Sequence, residues 1–557
     1  MAEQVTLAQV KEDLRNRALA QPLDTPSRQG RSSAPWSSSR RPSMLVRFIT
    51  NQVTVIIGIG VLAVLARLIA LRTANDLFID EITYTNIALN IAHGKGVVLY
   101  GQPFALHPPA VFGLFASVIL AFRLHGSTES MIFSLRYVDV VIGAATCVLT
   151  YLLVGRAANR RVAVIAALII AIDPLVITYD SRVMLEAPTQ LAVVSAFLLL
   201  AIAVGKPVGA SSRWRWLCAA GMASAVVFCM KETFGLVIGL ALVALMLTGW
   251  VVRRREAAIV LGIGLVGYGI CVVTMGLSYG FGVWWRNQFA GASRLVGRTQ
   301  LTGFNSPKVH VSIVSRFFAD LPTFAVSYLI LGFGMLAALG LLVRLKPWKP
   351  HSTTRAVEQP VLVLVAIWTL SSAAYLAYAT LLGTIEEQMY YILLLPSAIS
   401  LCLWFGWRPS PRCRHSSDPR SHQWKKAGVV LATLGLLFDA VGWVGVHSRQ
   451  DDEYRQTLAW EAVHVPPTAV VSATEDLSQF LLPRGIIGQW NTISELKAHH
   501  VDYVIVNMSL VDQGYGLADS SFVRTLQQRG KLAFEANGVT DNSLRIYDVR
   551  SITGASP

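Results

Sequence analysis

Eleven long apolar runs, separated by short polar connectors, constrain this chain more than any other feature. They lie near 53–72, 134–155, 162–177, 187–205, 215–230, 234–251, 257–277, 323–344, 359–381, 389–406 and 427–445. About 20 apolar residues are what a helix needs to cross the hydrocarbon core of a bilayer, where no water can satisfy a non-helical backbone. The 557 residues are 53% hydrophobic and 15% charged, whereas a soluble domain carries about 25% charged residues. The sequence therefore predicts an all-α polytopic membrane protein with about eleven spans.

Charge gives the orientation. The formal net charge is +15, which in a soluble protein would suggest nucleic acid. Here Lys and Arg collect in the connectors Arg156–Arg161, Lys206–Arg215, Arg253–Arg255, Arg344–Arg355 and Arg408–Lys426. That is the positive-inside pattern, and no nucleic-acid partner is expected. These connectors share one side only if the short run Ala110–Phe122 does not cross. Its 13 residues make about 20 Å of helix, so it reads as a re-entrant or interfacial helix. The N-terminus is then cytoplasmic. The other side receives 73–133, 178–186, the Lys231–Glu232 boundary, 278–322, 382–388 and 446–557. Residues 1–48, rich in Ser, Pro and Arg, read as a disordered cytoplasmic tail. The first run starts too late for a cleaved signal peptide and reads as a retained helix. Residues 49–446 form the membrane domain. The six cysteines show no metal-ligand spacing.

The outer turns collect chemistry. Asp80 and Glu81 follow the first span, with Tyr84 nearby, and Ile82–Ala92 reads as a helix lying in the interface. An ordinary role for Asp80 would be to cap that helix. His107-Pro108-Pro109 then fixes the chain direction. A second turn carries Asp180, Arg182 and Glu186, where Arg182 and Glu186 have the spacing of a local ion pair. Lys231-Glu232 interrupts the apolar stretch Ala225–Leu242. Charges there need partners, and neighbours on a helix point about 100° apart, so each is expected to have its own. For Lys231 the expected partner is the phosphate of a lipid-linked donor. Glu386, Glu387, Tyr390 and Tyr391 form a further turn, and the 278–322 loop adds Trp284, Trp285, Arg286, Arg294 and Arg298. Its aromatics suit a membrane interface and its arginines lipid phosphate.

The order of these features resembles bacterial glycosyltransferase family thirty-nine, which includes protein O-mannosyltransferases and lipid A aminoarabinose transferases of the C-type glycosyltransferase fold. The features are an Asp-Glu loop with a Tyr, a His-Pro-Pro, a span opening with Arg136, a basic turn and a Ser-Arg turn. The resemblance covers roughly residues 50–400. It implies a polyprenyl-phosphate sugar donor and transfer on the outer face, usually with inversion. Asp80, with Glu81 beside it, would be the general base on the acceptor. Asp180 or Glu186 would be the second acid. Arg182 and Lys231 would hold the donor phosphate, with Arg286 a third candidate. Tyr84, His107, Arg136, Glu232, Glu386, Glu387, Tyr390 and Tyr391 would line the site. Glu386-Glu387 stands where many relatives carry an arginine.

Chemistry agrees with this assignment. An attacking hydroxyl must lose its proton, and a carboxylate can accept it. A phosphodiester leaving group needs no acid, only cations against developing charge. A divalent cation, magnesium or manganese, has room to assist, although no ligand cluster requires one. Mannose is the first expectation for the sugar and a pentose the second. The acceptor is open among protein, cell-wall glycan, lipid and small secreted product. A transporter or flippase of lipid-linked anions is the alternative, and a non-catalytic assembly or sensor protein a third reading.

Residues 447–557 change character. Thr468–Ala473, Val501–Asn507, Lys531–Glu535 and Leu544–Val549 read as strands, and Asp476–Phe480 and Ser520–Arg529 as helices. A small extracytoplasmic α/β domain is expected, without a glycine-rich nucleotide loop. It would serve as a lid or packing domain, or else in acceptor recognition.

Overall fold

The computed structural model describes residues 51–296, 298, 313–348, 359–382, 385, 386, 388–406, 419–475, 481, 487–512, 518–539 and 543–554. The predicted tail 1–48, the segment Asp476–Phe480 and Glu387 lie outside the described residues. The chain divides into Met1–Asn51 and Gln52–Pro557, and the helices and strands of the described residues belong to the second unit.

Each expected apolar run is helical, 162–177 as two helices broken at Asp173, and among the described residues before the terminal segment three further helices accompany them. In order they are α1 (Gln52–Leu68), α2 (Ile79–Ala92), α3 (Ala110–Phe122), α4 (Thr128–Val154), α5 (Arg160–Ile172), α6 (Pro174–Asp180), α7 (Glu186–Val204), α8 (Ser211–Phe228), α9 (Glu232–Thr248), α10 (Arg254–Tyr279), α11 (Phe281–Leu295), α12 (Ile313–Leu345), α13 (Pro360–Leu381), α14 (Met389–Gly406) and α15 (Pro419–Ser448). Among the described residues, six are long and apolar enough to cross a membrane, or seven if α5 and α6 count as one bent span. The eleven expected positions are thus helical, while length and composition alone support six or seven crossings. Between α2 and α3 a two-stranded ribbon pairs β1 (Val98–Leu99) with β2 (Gln102–Pro103).

The bend between α5 and α6 is 61°, and the sequence explains it. Pro174 has no N–H to continue the ladder. Asp173 instead starts a new helix by accepting from the Val176 N–H at 3.0 Å, with proline in its favoured first turn. The reversal carries Asp180, Arg182 and Glu186 to one end of the bundle. Behind it the core is close-packed, with Phe197 of α7 stacked on Trp368 of α13 at 4.4 Å.

Helix α2 is not free on an interface. Its Glu81, Ile82, Tyr84, Thr85, Asn86, Ile87 and Ala88 are buried, in a cluster with Phe112 and Phe115 of α3 and Ile132 and Leu135 of α4. Asp80 does not cap it either. Phe78 is the cap residue, and Glu81 reaches back to the Phe78 N–H at 3.1 Å.

After α16 (Glu453–His464) the chain forms a five-stranded sheet in the order β4-β3-β5-β7-β6. Its strands are β3 (Val471–Ala473), β4 (Ile487–Gly488), β5 (Tyr503–Asn507), β6 (Lys531–Asn537) and β7 (Ser543–Asp548). β4, β3 and β5 are parallel; β7 and β6 join antiparallel. Helices α17 (Ile493–Ala498), α18 (Met508–Asp512), α19 (Ser520–Arg529) and α20 (Arg550–Thr553) accompany it.

This segment is fastened to the loop that leads into α2. The Asp451 N–H donates to the Thr73 carbonyl at 2.8 Å, and the Tyr454 N–H donates to Asp76 at 2.5 Å. Burial, then the nearby Asp451 charge, pushes the Asp76 carboxyl up to about 7 against backbone hydrogen bonds that pull it down. A carboxyl whose folded pKa lies above its unfolded 3.8 stabilises fully below that value. It loses the contribution as pH rises through the folded pKa. Asp76→Asn, permanently neutral, should therefore nearly match wild type at pH 4, pull ahead as pH rises, and exceed its thermal midpoint by several degrees at pH 8. Melting in detergent at both values checks this, and a gain of equal size at both would remove Asp76 titration as the cause.

Candidate active site

The site is built on a buried clamp. Arg136, one-third of the way along α4, uses all five of its N–H donors. Nε and Nη2 grip Glu81 at 2.9 and 2.6 Å, while Nη1 and Nη2 reach the carbonyls of Leu71, Asn75 and Asp76 at 3.0, 2.7 and 2.7 Å. Both partners are fully buried. Glu81 also accepts the Val183 N–H at 2.8 Å and the Phe78 N–H at 3.1 Å. With four donors on its two oxygens, Glu81 has no free lone pair aimed at a substrate. It fixes α2 and the 181–185 turn.

With Glu81 locked inward, Asp80 is turned about 100° away from it on the helix. Asp80 is partly exposed and lies one turn before the buried Tyr84 on the same face of α2. Loss of solvent, then the charges of Glu386 and Glu186, pushes its carboxyl up to about 6, against Lys231 and His107, which pull it down. These neighbours come from four other places in the sequence.

Lys231 precedes α9 with an extended backbone, and its buried ammonium pairs with Glu186, the first residue of α7. The local Arg182–Glu186 pair allowed by spacing does not form; Lys231 takes the carboxylate instead. The protein itself thus supplies Lys231 with a counter-charge, in addition to the phosphate expected for it. The physical reason is that an unbalanced buried ammonium is too costly without a protein counter-charge. One Glu186 oxygen, Oε2, has no hydrogen-bond partner. Glu232 pairs with His107 at 3.3 Å, and the His107 ring stands edge-on to Tyr84 at 6.3 Å.

The two alternatives for the second acid fall in different places. Asp180 is held by Arg67 at 2.9 and 2.7 Å and by the Tyr391 hydroxyl at 2.6 Å. It is a buried tie between α1, α6 and α14, whereas Glu186 joins the Asp80 group. Tyr391 belongs to that tie, and Tyr390 stands edge-on to Tyr328 at 5.9 Å. Glu386 accepts from Gln388 at 2.7 Å. Arg182 is buried, its guanidinium 5.2 Å over the Phe78 ring and 3.4 Å from the Asn75 amide oxygen. Arg449, just after α15, donates to the same oxygen at 3.2 Å. Arg286 is exposed on α11 and makes no described contact with the Asp80 group.

Sequence reasoning missed Asp139. It is fully buried on α4, one turn after Arg136, and accepts the Met184 N–H at 3.3 Å. Glu81 and Asp139 thus hold consecutive N–H groups of the turn that delivers Arg182 and Glu186. The signal was available: two charges three residues apart inside an apolar run. Among the described residues no three His, Cys, Asp or Glu side chains converge to hold a metal ion. The cation set among the site carboxylates is the Lys231 ammonium.

Residues 107–275 match the family model for dolichyl-phosphate-mannose-protein mannosyltransferases. No curated protein sequence matches the chain. Solved structures share its fold, two of which are representative. Archaeal oligosaccharyltransferase AglB from Archaeoglobus fulgidus, in complex with an inhibitory peptide and a dolichol-phosphate, superposes with a TM-score of 0.55 at 12% identity, over 82% of this chain and 69% of that one. ArnT from Cupriavidus metallidurans, bound to undecaprenyl phosphate, superposes with a TM-score of 0.54 at 13% identity, over 91% of this chain and 99% of that one. The superpositions show that the chain shares the fold of these two enzymes, and the family segment lies within the helical part of that fold.

Proposed function

We propose that this chain transfers a sugar from a polyprenyl-phosphate donor to an acceptor hydroxyl at the outer face of the cell membrane, with inversion at the anomeric carbon. The observation that carries the reading is the convergence of Asp80, Glu186, Lys231, His107 and Glu386 at one end of a helical bundle. Lipid-phosphate ligands in AglB and ArnT support the donor class. Mannose is the first sugar to test and a pentose the second, with a protein, a glycan or a small secreted product as acceptor. The topology that goes with this has eleven crossings, a cytoplasmic N-terminus, and residues 447–557 as an outer domain packed over the site as a lid.

The mechanism follows from the side chains. Asp80 accepts the acceptor hydroxyl proton as the new C–O bond forms. Its carboxyl, at about 6, is ionised at neutral pH yet basic enough to take a proton. Tyr84, one turn on, lies on the same face of α2. On the leaving side, Lys231 offers ammonium donors beyond the one given to Glu186 and stabilises the departing phosphate. Arg182, held by Asn75, adds charge to the same anion. His107 and Glu232 fix the turn against which the sugar packs.

With Asp80 as the base, kcat/KM should fall about tenfold per pH unit below the pKa of Asp80, so that the acid limb sits near 6 rather than near the ordinary aspartate value of about 4. A pH–rate profile from 4.5 to 8 in detergent measures it. A profile flat through pH 5–7 would remove Asp80 from proton transfer.

A further inference from the structure

Helix α11 has two unlike faces. Inward, the Gln288 amide donates to the Ala105 carbonyl at 2.5 Å, and Gly291 lies so close to Leu106 that an added methyl would stand 3.2 Å from it. At the end of α10, the Tyr279 hydroxyl accepts the Val97 N–H at 2.5 Å. Outward, Phe281, Trp285 and Phe289 recur every four residues and are 50%, 62% and 56% exposed. Arg286 lies exposed beside Trp285, and Arg298 is exposed just past the helix.

That stripe does not stand alone. It continues the exposed row Val266, Ile270, Val273 and Leu277 of α10, a span with only 17% of its apolar window buried within the protein. The chain passes from one helix to the other through Gly280 at φ +86°, a left-handed turn that glycine makes without strain. Lipid that covers Leu277 must therefore meet Phe281. An aromatic stripe flanked by arginines is the composition of a helix lying in the membrane surface, with cations at headgroup depth.

We propose that α11 is a docking surface for anionic phospholipid of the surrounding leaflet. Its Phe281, Trp285 and Phe289 side chains enter the acyl boundary, and Arg286 and Arg298 engage lipid phosphate. The helix is fastened to Ala105 and Leu106, and the next residue is His107, bonded to Glu232. Lipid composition at α11 thus bears on the His107 turn. The inference concerns this surface and does not require the transfer reaction.

Photo-crosslinking tests it. The full chain is reconstituted in nanodiscs with a photoactivatable phosphatidylglycerol or, in parallel, a photoactivatable phosphatidylcholine, and labelled peptides are mapped by mass spectrometry. Phosphatidylglycerol should label the peptide around 281–296 at least about fivefold more than phosphatidylcholine, since each basic residue at an anionic leaflet contributes about that factor. Arg286→Gln should reduce that preference. Equal labelling by both probes overturns the headgroup assignment, and no labelling overturns the membrane placement. The wild-type comparison decides both without the variant. Loss of the label on adding a small amount of undecaprenyl phosphate would instead assign Arg286 to the donor, and would also overturn the proposal.

Discussion

Asp80→Asn is expected to lower transfer by about 10²–10⁴-fold, the usual contribution of a positioned general base, while donor affinity and thermal stability stay near wild type. The substitution keeps the shape of the side chain, but it cannot take a proton. Glu81→Gln should behave differently, although it is the adjacent acid. It disturbs a buried pair whose four incoming donors hold Arg136, α2 and the 181–185 turn, so it should lower stability and expression before it alters chemistry. Measuring turnover, donor affinity and melting for both variants separates the roles. Normal turnover in Asp80→Asn, or a Glu81→Gln protein that is stable but inactive, would reverse the assignment.

The second large effect is at Lys231. Removing one partner of a buried ion pair leaves an uncompensated charge, at a cost of about 3–5 kcal/mol, so Lys231→Ala alone should be markedly destabilised. Its activity would then say little about donor binding. Pairing the change with Glu186→Gln removes the orphaned carboxylate. The double variant should recover most of the stability, yet still bind donor at least about tenfold more weakly, the loss of roughly one charge-assisted hydrogen bond to phosphate. If donor affinity returns along with stability, Lys231 is a structural cation and the donor phosphate lies elsewhere.

The contrast between these residues shows what the sequence could and could not convey. Helices were legible because their apolar runs are long and continuous, but the break at Asp173-Pro174 falls inside the single run expected at 162–177 and was missed. In the terminal segment, the buried run Val501–Asn507 and the capped helix Ser520–Arg529 were legible for the same local reasons. The short α16 and α17 were not, since neither carries a long apolar stripe. Asp80 and Glu81 are adjacent, and which of them faces the site is set by Arg136, 55 residues beyond Glu81. Lys231 is legible as a charge needing a partner, but Glu186 lies 45 residues before it and arrives only when α7 and α9 pack. Asp180 and Glu186 look equivalent in one turn. Arg67, buried within an apolar helix, is what captures Asp180, and nothing local to either residue announces the other. Adjacent chemistry is visible in the sequence; long-range pairing is not.

The central claim is that the Asp80 group performs sugar transfer from a polyprenyl phosphate. Its most direct test is to incubate the purified full chain in nanodiscs with a panel of polyprenyl-phosphate mannose and pentose donors and follow donor loss and polyprenyl-phosphate release by mass spectrometry. The account predicts that wild type consumes at least one donor and that Asp80→Asn, equally folded and equally able to bind that donor, does not. Consumption of that donor at equal rates by both proteins, or binding of a lipid-linked sugar that is moved across the bilayer uncleaved, would contradict it.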